Sequence, residues 1–307
     1  VVGTIFVNQQ FGLSYKVVAI VCSVIALATM APICFKGKER YGGESDESFT
    51  VRSMFKYLFS NKYLLIYYIG FFFFSALNVS ASLNLFVSYY LFHDENFSLF
   101  VGALSVVPML IFSVLVPKFI KRFDKMKIYL ACTAASALLG LITWLVGYNN
   151  IIIFAILTVL KNIPGGISGV MLFMFTPDCA EYGKFKTGID AKGITFAIQT
   201  FMVKLTAAVS SALPLTLLSF FKWSTVKAES FQELQANPVI QSEYTLNGLW
   251  FIYTMLPVIG LVIAGAIWCF YRMKDKDVQL MTDCNIGKIS REEALAGLSI
   301  KNEFTEN

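Results

Sequence analysis

The sequence predicts an all-α protein, a polytopic bundle of about seven membrane-spanning helices, on three observations. Apolar residues fill 56% of the 307 positions and charged residues 15%, against the roughly one quarter that a soluble surface requires. Mean hydropathy is +0.64. Seven stretches stay apolar for the ~20 residues a helix needs to cross a hydrocarbon core of about 30 Å. These values exclude a disordered chain, a disulfide-rich secreted module and a nucleic-acid binder, and they make membrane lipid the expected surroundings.

In chain order the apolar stretches are 13–35, 62–92, 97–119, 127–148, 150–177, 191–221 and 247–271, and residues 1–7 read as the tail of a further helix. The chain opens inside an apolar run without Met, so the natural polypeptide is expected to extend upstream. A polar connector, Gly42 to Ser48, precedes an amphipathic run from Phe49 to Phe59 that suits a membrane surface. A short external helix is expected around Thr225–Gln235. Ser290-Arg291-Glu292-Glu293 is a capping-box pattern, opening what reads as a solvated helix in the tail. Six cysteines without CxxC spacing and a lone His93 point to apolar fillers and thiols, with no zinc or disulfide framework.

Charge placement sets the expected orientation. Basic residues crowd 36–62 (Lys36, Lys38, Arg40, Arg52, Lys56, Lys62), 118–127 (Lys118, Lys121, Arg122, Lys125, Lys127) and 184–192 (Lys184, Lys186, Lys192). The alternate connections hold only Lys222 and Lys227. Short cytoplasmic loops collect Lys and Arg, which puts 36–61, 118–127, 178–190 and the tail after Arg272 in the cytoplasm of a plasma-membrane protein.

None of the seven stretches contains Asp or Glu. Two lysines nevertheless sit deep: Lys161, twelfth in 150–177, and Lys204, fourteenth in 191–221. An uncompensated lysine at a helix centre costs about 2.5–3.5 kcal/mol even on lenient insertion scales, so each needs a wet cavity or a carboxylate from elsewhere. Thr200, Lys204, Ala207 and Ser211 share one helical face, with Thr195, Gln199, Thr206 and Ser210 on the adjoining one. An ammonium, an amide and hydroxyls suit a hydroxyl-rich ligand, although Ser and Thr also serve as interhelical glue. Lys161 stands beside Asn162, Pro164, Gly165, Gly166 and Gly169, a helix-breaking cluster tolerated beside cavities; Gly165 and Gly169 also have close-packing spacing. Ser75, Asn78, Ser82 and Tyr89 form a further stripe, while the aromatics Tyr67, Tyr68, Phe71 to Phe74, Tyr89 and Tyr90 are expected to be mostly lipid-facing or interfacial.

Residues 178–193 read Asp-Cys-Ala-Glu-Tyr-Gly-Lys-Phe-Lys-Thr-Gly-Ile-Asp-Ala-Lys-Gly, and Gln199, Thr200 and Lys204 follow. This stretch resembles the signature between helices 10 and 11 of the glycoside–pentoside–hexuronide:cation symporters, a branch of the major facilitator superfamily. The matches are Asp178, Tyr182, Gly183, Lys186, Thr187, Gly188, Gly193, Gln199, Thr200 and Lys204, and Lys38-Glu39-Arg40 resembles the start of that family's central loop. Glu181 keeps the charge of the usual Asp. Lys184 stands where Glu is usual, and Asp190 and Lys192 where Arg and Glu are usual; the last two look like a swapped pair.

The resemblance implies a major-facilitator architecture: residues 1–35 the end of an N-terminal half (tail of helix 5, helix 6), 36–61 the cytoplasmic central loop, 62–272 a six-helix C-terminal half and 273–307 a cytoplasmic tail. It implies a non-enzymatic, cation-coupled symporter for a sugar, sugar alcohol or glycoside, with Na+ or H+ as coupling ion and no other cofactor. Gln199, Thr200 and Lys204, with Lys161 and Asn162 from the polar-depth reasoning, form the expected substrate and cation site. Asp178, Glu181, Tyr182, Lys184, Gly188, Asp190 and Lys192 form the expected cytoplasmic gate. The carboxylate partner of Lys204 is expected on a missing N-terminal half. A non-transporting sugar sensor and, further off, a membrane-embedded transferase are the alternatives.

Overall fold

The computed structural model describes residues 11–37, 57–94, 96–225, 233 and 239–304. The expectations for residues 1–7, the Gly42–Ser48 connector, most of Phe49–Phe59 and most of Thr225–Gln235 fall outside these residues. Every regular element among the described residues is helical, and seven helical stretches are long and apolar enough to cross a membrane.

The chain divides into two compact units. One comprises residues 1–48 with 222–243 and holds α1 (Phe11–Lys36), an apolar helix with Pro32 inside it. In the same unit the Gln241 amide pairs both ways with the Ser224 backbone, at 3.0 Å each. The other unit comprises 49–221 with 244–307 and contains α2 (Lys62–Ala76), α3 (Ser80–Tyr90), α4 (Phe97–Ile120), α5 (Lys125–Val146), α6 (Ile151–Met171), α7 (Phe175–Thr187), α8 (Lys192–Phe220), most of α9 (Glu243–Trp268), α10 (Asp275–Asn285) and α11 (Arg291–Gly297).

The expected span 62–92 is therefore two helices, separated at Leu77–Val79. Asn61 caps α2 through its side-chain oxygen, which accepts from the Leu64 amide at 3.1 Å. Asn150 caps α6 the same way through Ile152 and Ile153. The expected loop 178–190 is also mostly helix, because α7 runs to Thr187 and ends on Gly188 in the left-handed conformation, φ 75°. At 1.5 Å per residue, α6 alone covers about 31 Å. The charged residues Asp178, Glu181, Lys184 and Lys186 follow on α7.

In the second unit α6 packs against α4 and α5, α8 against α2, and α10 against α7. With lipid outside, dispersion and interhelical hydrogen bonds carry such packing. At one end Tyr63, Tyr67, Tyr129, Phe175 and Trp268 form a buried aromatic cluster, with Tyr129 and Trp268 centroids 4.7 Å apart and Tyr67 and Phe175 5.0 Å apart. Tyr67, Tyr68 and Phe71, expected mostly at the lipid surface, are buried in it. The two tyrosines are held by hydrogen bonds, Tyr67 donating to the Leu172 carbonyl at the α6–α7 break and the Tyr68 and Thr176 hydroxyls pairing at 2.7 Å. Phe71 packs against both rings. Close packing falls at Gly166, where a Cβ would lie 2.9 Å from the Met109 carbonyl oxygen; Gly165 and Gly169 border open space instead.

Candidate transport site

A cavity of about 390 Å³ opens inside the second unit, walled by α3, α4 and α6 with contributions from α2, α5 and α9. Its polar lining comes from helix faces at regular spacing. Thr158, Lys161, Asn162, Gly165 and Ser168 lie along one face of α6, and Ser80, Asn84 and Ser88 recur every four residues on α3. Asn78 lines the cavity from the α2–α3 break. Gly165, with no side chain, leaves space there.

Lys161 is the one charged residue in this lining and has no ion-pair or hydrogen-bond partner among the described residues. It also borders a smaller adjoining cavity with Thr143, Thr158 and Tyr253. The neighbouring polar groups are partly committed. The Tyr253 hydroxyl donates to Asn84 Oδ1 at 2.9 Å, and Asn162 Nδ2 donates to the Thr158 carbonyl at 2.9 Å. The Asn84 amide N–H pair, Asn162 Oδ1 and the Lys161 ammonium are among the groups left to a ligand.

The structure divides the expected substrate and cation residues. Lys161 and Asn162 line the cavity, whereas Gln199, Thr200 and Lys204 sit on α8 and are absent from its lining. Thr200 and Lys204 lie on the exposed face, with the Thr200 hydroxyl bonded to the Phe196 carbonyl at 3.1 Å. Lys204 has no ion-pair partner among the described residues. The adjoining face turns partly inward: Thr195 and Thr206 are buried and bond to local backbone carbonyls, and Thr195 also reaches across to the Tyr57 hydroxyl at 3.4 Å. Gln199 is half-buried with its Oε1 enclosed and unbonded among the described residues.

The expected gate residues do converge, in an ionic network at the end of the second unit where α7 meets α5, α8 and the tail. Asp178 pairs with Lys125 at 2.5 Å, and Lys125 also meets Asp275 at 3.5 Å. Glu181 binds Lys192 at 2.9 Å and accepts from Asn285 at 2.8 Å. Lys184 binds Asp190 at 2.8 Å, and this hydrogen bond holds the Asp190 carboxyl below its usual range. Asp190 and Lys192 are thus not each other's ion-pair partners. The left-handed turn at Gly188 folds the chain back so that position 190 meets 184 and position 192 meets 181, which makes Lys184 and Asp190 the reversed pair. Tyr182 is fully buried, its hydroxyl 3.4 Å from Glu303.

Glu303 also accepts from Lys62 at 2.9 Å and from Tyr63 at 3.0 Å. The tail expected to be solvated is therefore docked: Met281, Ala294 and Leu298 are buried, although the Ser290–Glu293 capping box forms as expected. The pairings of Lys125, Asn285 and Glu303 carried no sequence signal, since nothing local marks a pair 53 or more positions apart. Asn84 did carry one, hidden by reading 62–92 as a single helix: the break resets the helical phase.

A family model described as MFS/sugar transport protein matches residues 4–275, most of the chain. The chain belongs to the MFS/sugar transport family. This places it among multi-pass membrane transport proteins and agrees with the branch that the 178–204 stretch resembles. Within the family it is 28% identical to a putative sulfoquinovose importer of Salmonella typhimurium, over 86% of this chain and 54% of that protein. It is 23% identical to an isoprimeverose transporter of Lactiplantibacillus pentosus, over 91% and 56%, and 24% identical to a putative 2,3-dihydroxypropane-1-sulfonate exporter of Escherichia coli, over 88% and 56%. The chain spans about half the length of these curated relatives.

Proposed function

We propose that this protein works in the cation-coupled transport of a sugar-like solute across the plasma membrane by alternating access. One observation carries the reading: a chain of the sugar-transport family encloses, among its membrane-spanning helices, a cavity lined by amides, hydroxyls and one ammonium. Hydroxylated solutes need such a wall, because each hydroxyl taken from water must find a partner. Broken helices recur at transport sites, and the Leu77–Val79 break brings Asn78 to the cavity wall.

In this reading Lys204, Gln199 and Thr200 on α8 face the coupling ion, Na+ or H+, and the opposing part of the transporter, which supplies the carboxylate that Lys204 lacks. Lys161 and Asn162 contact the solute. Asp178, Glu181, Tyr182, Lys184, Gly188, Asp190 and Lys192 close the cytoplasmic side. That orientation is supported by the basic residues at 118–127 and 184–192. The more exposed pairs, Lys184–Asp190 and Lys192–Glu181, suit a gate, since exposed pairs contribute only about 0–1 kcal/mol each and open without a large barrier.

Uptake of labelled sugar into proteoliposomes, with and without imposed Na+ or proton gradients, tests the proposal. Gradient-dependent uptake should be lost in Lys204→Ala and kept in Lys118→Ala, whose side chain is exposed and outside the cavity and gate. Uptake indifferent to both gradients, or to Lys204, would overturn the coupling role.

A further inference from the structure

We propose that the cavity between the start of α5, the end of α9 and the docked tail binds an anionic phospholipid. Lys127, Arg272 and Lys274 meet its phosphate, and exposed apolar stripes on α5 and α9 carry its acyl chains. The site is separate from the Lys161 cavity and independent of the transport reading.

The cavity, about 500 Å³, lies where one membrane-spanning helix begins and another ends. Met126, Leu130, Trp268 and Cys269 line it from the two spans, and the segments around Arg272 and Ile300 close it from the tail. Its charges do not balance. Lys127, Arg272 and Lys274 line it together with Asp124 and Glu303, but both acids already have cations. Asp124 meets Lys127 at 3.7 Å, and Glu303 binds Lys62, outside the cavity, at 2.9 Å. Arg272 and Lys274 are left without an ion-pair partner among the described residues. The surplus continues into an adjoining cavity of about 270 Å³, which shares Asp124 and Lys127 and adds Lys121 and Arg122 against Asp275 alone. Asp275 in turn lies 3.5 Å from Lys125. A phosphate matches such a surplus, because its several acceptor oxygens take charge-assisted hydrogen bonds from guanidinium and ammonium groups together.

What marks the anion as a lipid is the surface that leads to the cavity. Lys127, Ala131, Ala134, Leu138, Leu141 and Leu145 recur along α5 at helical spacing, on one face, and all six are exposed. On α9, Ile259, Val262 and Ala266 are likewise exposed and lead at the same spacing to Cys269 in the cavity wall. Beyond Lys127 and Cys269 neither stripe carries a polar side chain. The exposed face of α8 differs, with Thr200, Lys204 and Ser211 on it. An apolar stripe that ends on a cluster of cations has the layout of a phospholipid, chains along the span and phosphate at its end. Basic pockets beside span ends recognise anionic headgroups in this way. A free phosphate would use the cations and leave the stripes bare.

Native mass spectrometry of the purified protein in non-ionic detergent tests the proposal, with dioleoyl phosphatidylglycerol and dioleoyl phosphatidylcholine as probes. The two share their acyl chains and phosphate and differ in net charge. Wild-type protein should bind the first phosphatidylglycerol about 10-fold tighter than phosphatidylcholine, since each Lys or Arg beside an anionic headgroup shifts binding several-fold. Arg272→Gln/Lys274→Gln should bring the two lipids within about 2-fold. Arg272→Lys, which keeps the charge, should keep the preference, and so should Lys118→Gln, at an exposed position outside both cavities. Equal binding of the two lipids by wild-type protein overturns the proposal, as does a preference that survives the double substitution. An equal loss in Lys118→Gln would mean diffuse surface charge in place of a site and overturns it as well. Displacement of the lipid by equimolar glycerol phosphate would make the ligand a soluble phosphate and remove the lipid. Because the wild-type comparison decides by itself, a poorly folded variant cannot shield the proposal.

Discussion

Gly70 shows how little slack the aromatic cluster has. A Cβ at this position would sit 2.3 Å from Trp268 Nε1, and that indole cannot retreat: it is fully buried and donates to the Tyr67 carbonyl at 3.1 Å. Gly70→Ala should therefore destabilise the fold by about 1–3 kcal/mol, the usual cost of overpacking, seen as a lower thermal midpoint in detergent. Gly165→Ala, whose Cβ meets nothing within 4 Å, should leave the midpoint unchanged within about 0.5 kcal/mol, the scatter of neutral substitutions. Equal midpoints for Gly70→Ala and the wild type would refute the close contact. Local sequence points the wrong way, since Gly165 stands in a Pro-Gly cluster with close-packing spacing and Gly70 stands alone among apolar residues. What separates them is a tryptophan nearly two hundred positions away.

At the scale of elements, one buried carboxylate ties the parts of the tail to each other. Asp277, 1% exposed, accepts from the Lys274 amide at 2.9 Å, the Ser299 amide at 2.7 Å and the Ser299 hydroxyl at 2.5 Å. It thereby caps α10 and ties it to the segment after α11. Hydrogen bonds to charged groups contribute about 1.5–3 kcal/mol each, so Asp277→Ala should raise the open population of residues 274–304 by at least about 10-fold. Trypsin reads this directly: cleavage after Lys288 and Arg291 should accelerate by that factor while cleavage elsewhere does not. An unchanged digestion rate would show that the tail is held by something other than Asp277. Charge density and a capping box made this segment legible as soluble helix. Its docking was not legible, because the apolar face of a seven-residue helix such as α11 is too short to register as a pattern.

At the scale of the molecule, the ionic network and the basic connections belong to one end of the membrane-spanning unit. Connections 120–125 and 188–192 and the tail meet there through Lys125–Asp275, Lys192–Glu181 and Asn285–Glu181, while Tyr148 bonds Asn247 at 3.0 Å between the opposite helix ends. If the network end is cytoplasmic, a membrane-impermeant maleimide applied to intact cells should label Asn149→Cys and not Lys127→Cys, both exposed positions, and inside-out vesicles should reverse the result. Labelling of Lys127→Cys from outside the cell would invert the proposed topology.

The fold class, the number of spans, the family and the identity of the deep lysines all followed from the sequence. They rest on hydropathy, charge and local spacing, which act over one helix or one loop and are written in consecutive residues. The tertiary structure alone decided where the helices break, which charges pair and which polar residues share a cavity. A break of two or three residues at Leu77–Val79 or Leu172–Met174 hardly alters the hydropathy of its span, yet it rotates every later side chain. Pairings such as Asp178 with Lys125, or Glu303 with Lys62, depend on helix packing that no local pattern encodes. For Lys161 the sequence supplied a charge inside an apolar stretch, and packing supplied the cavity that it lines.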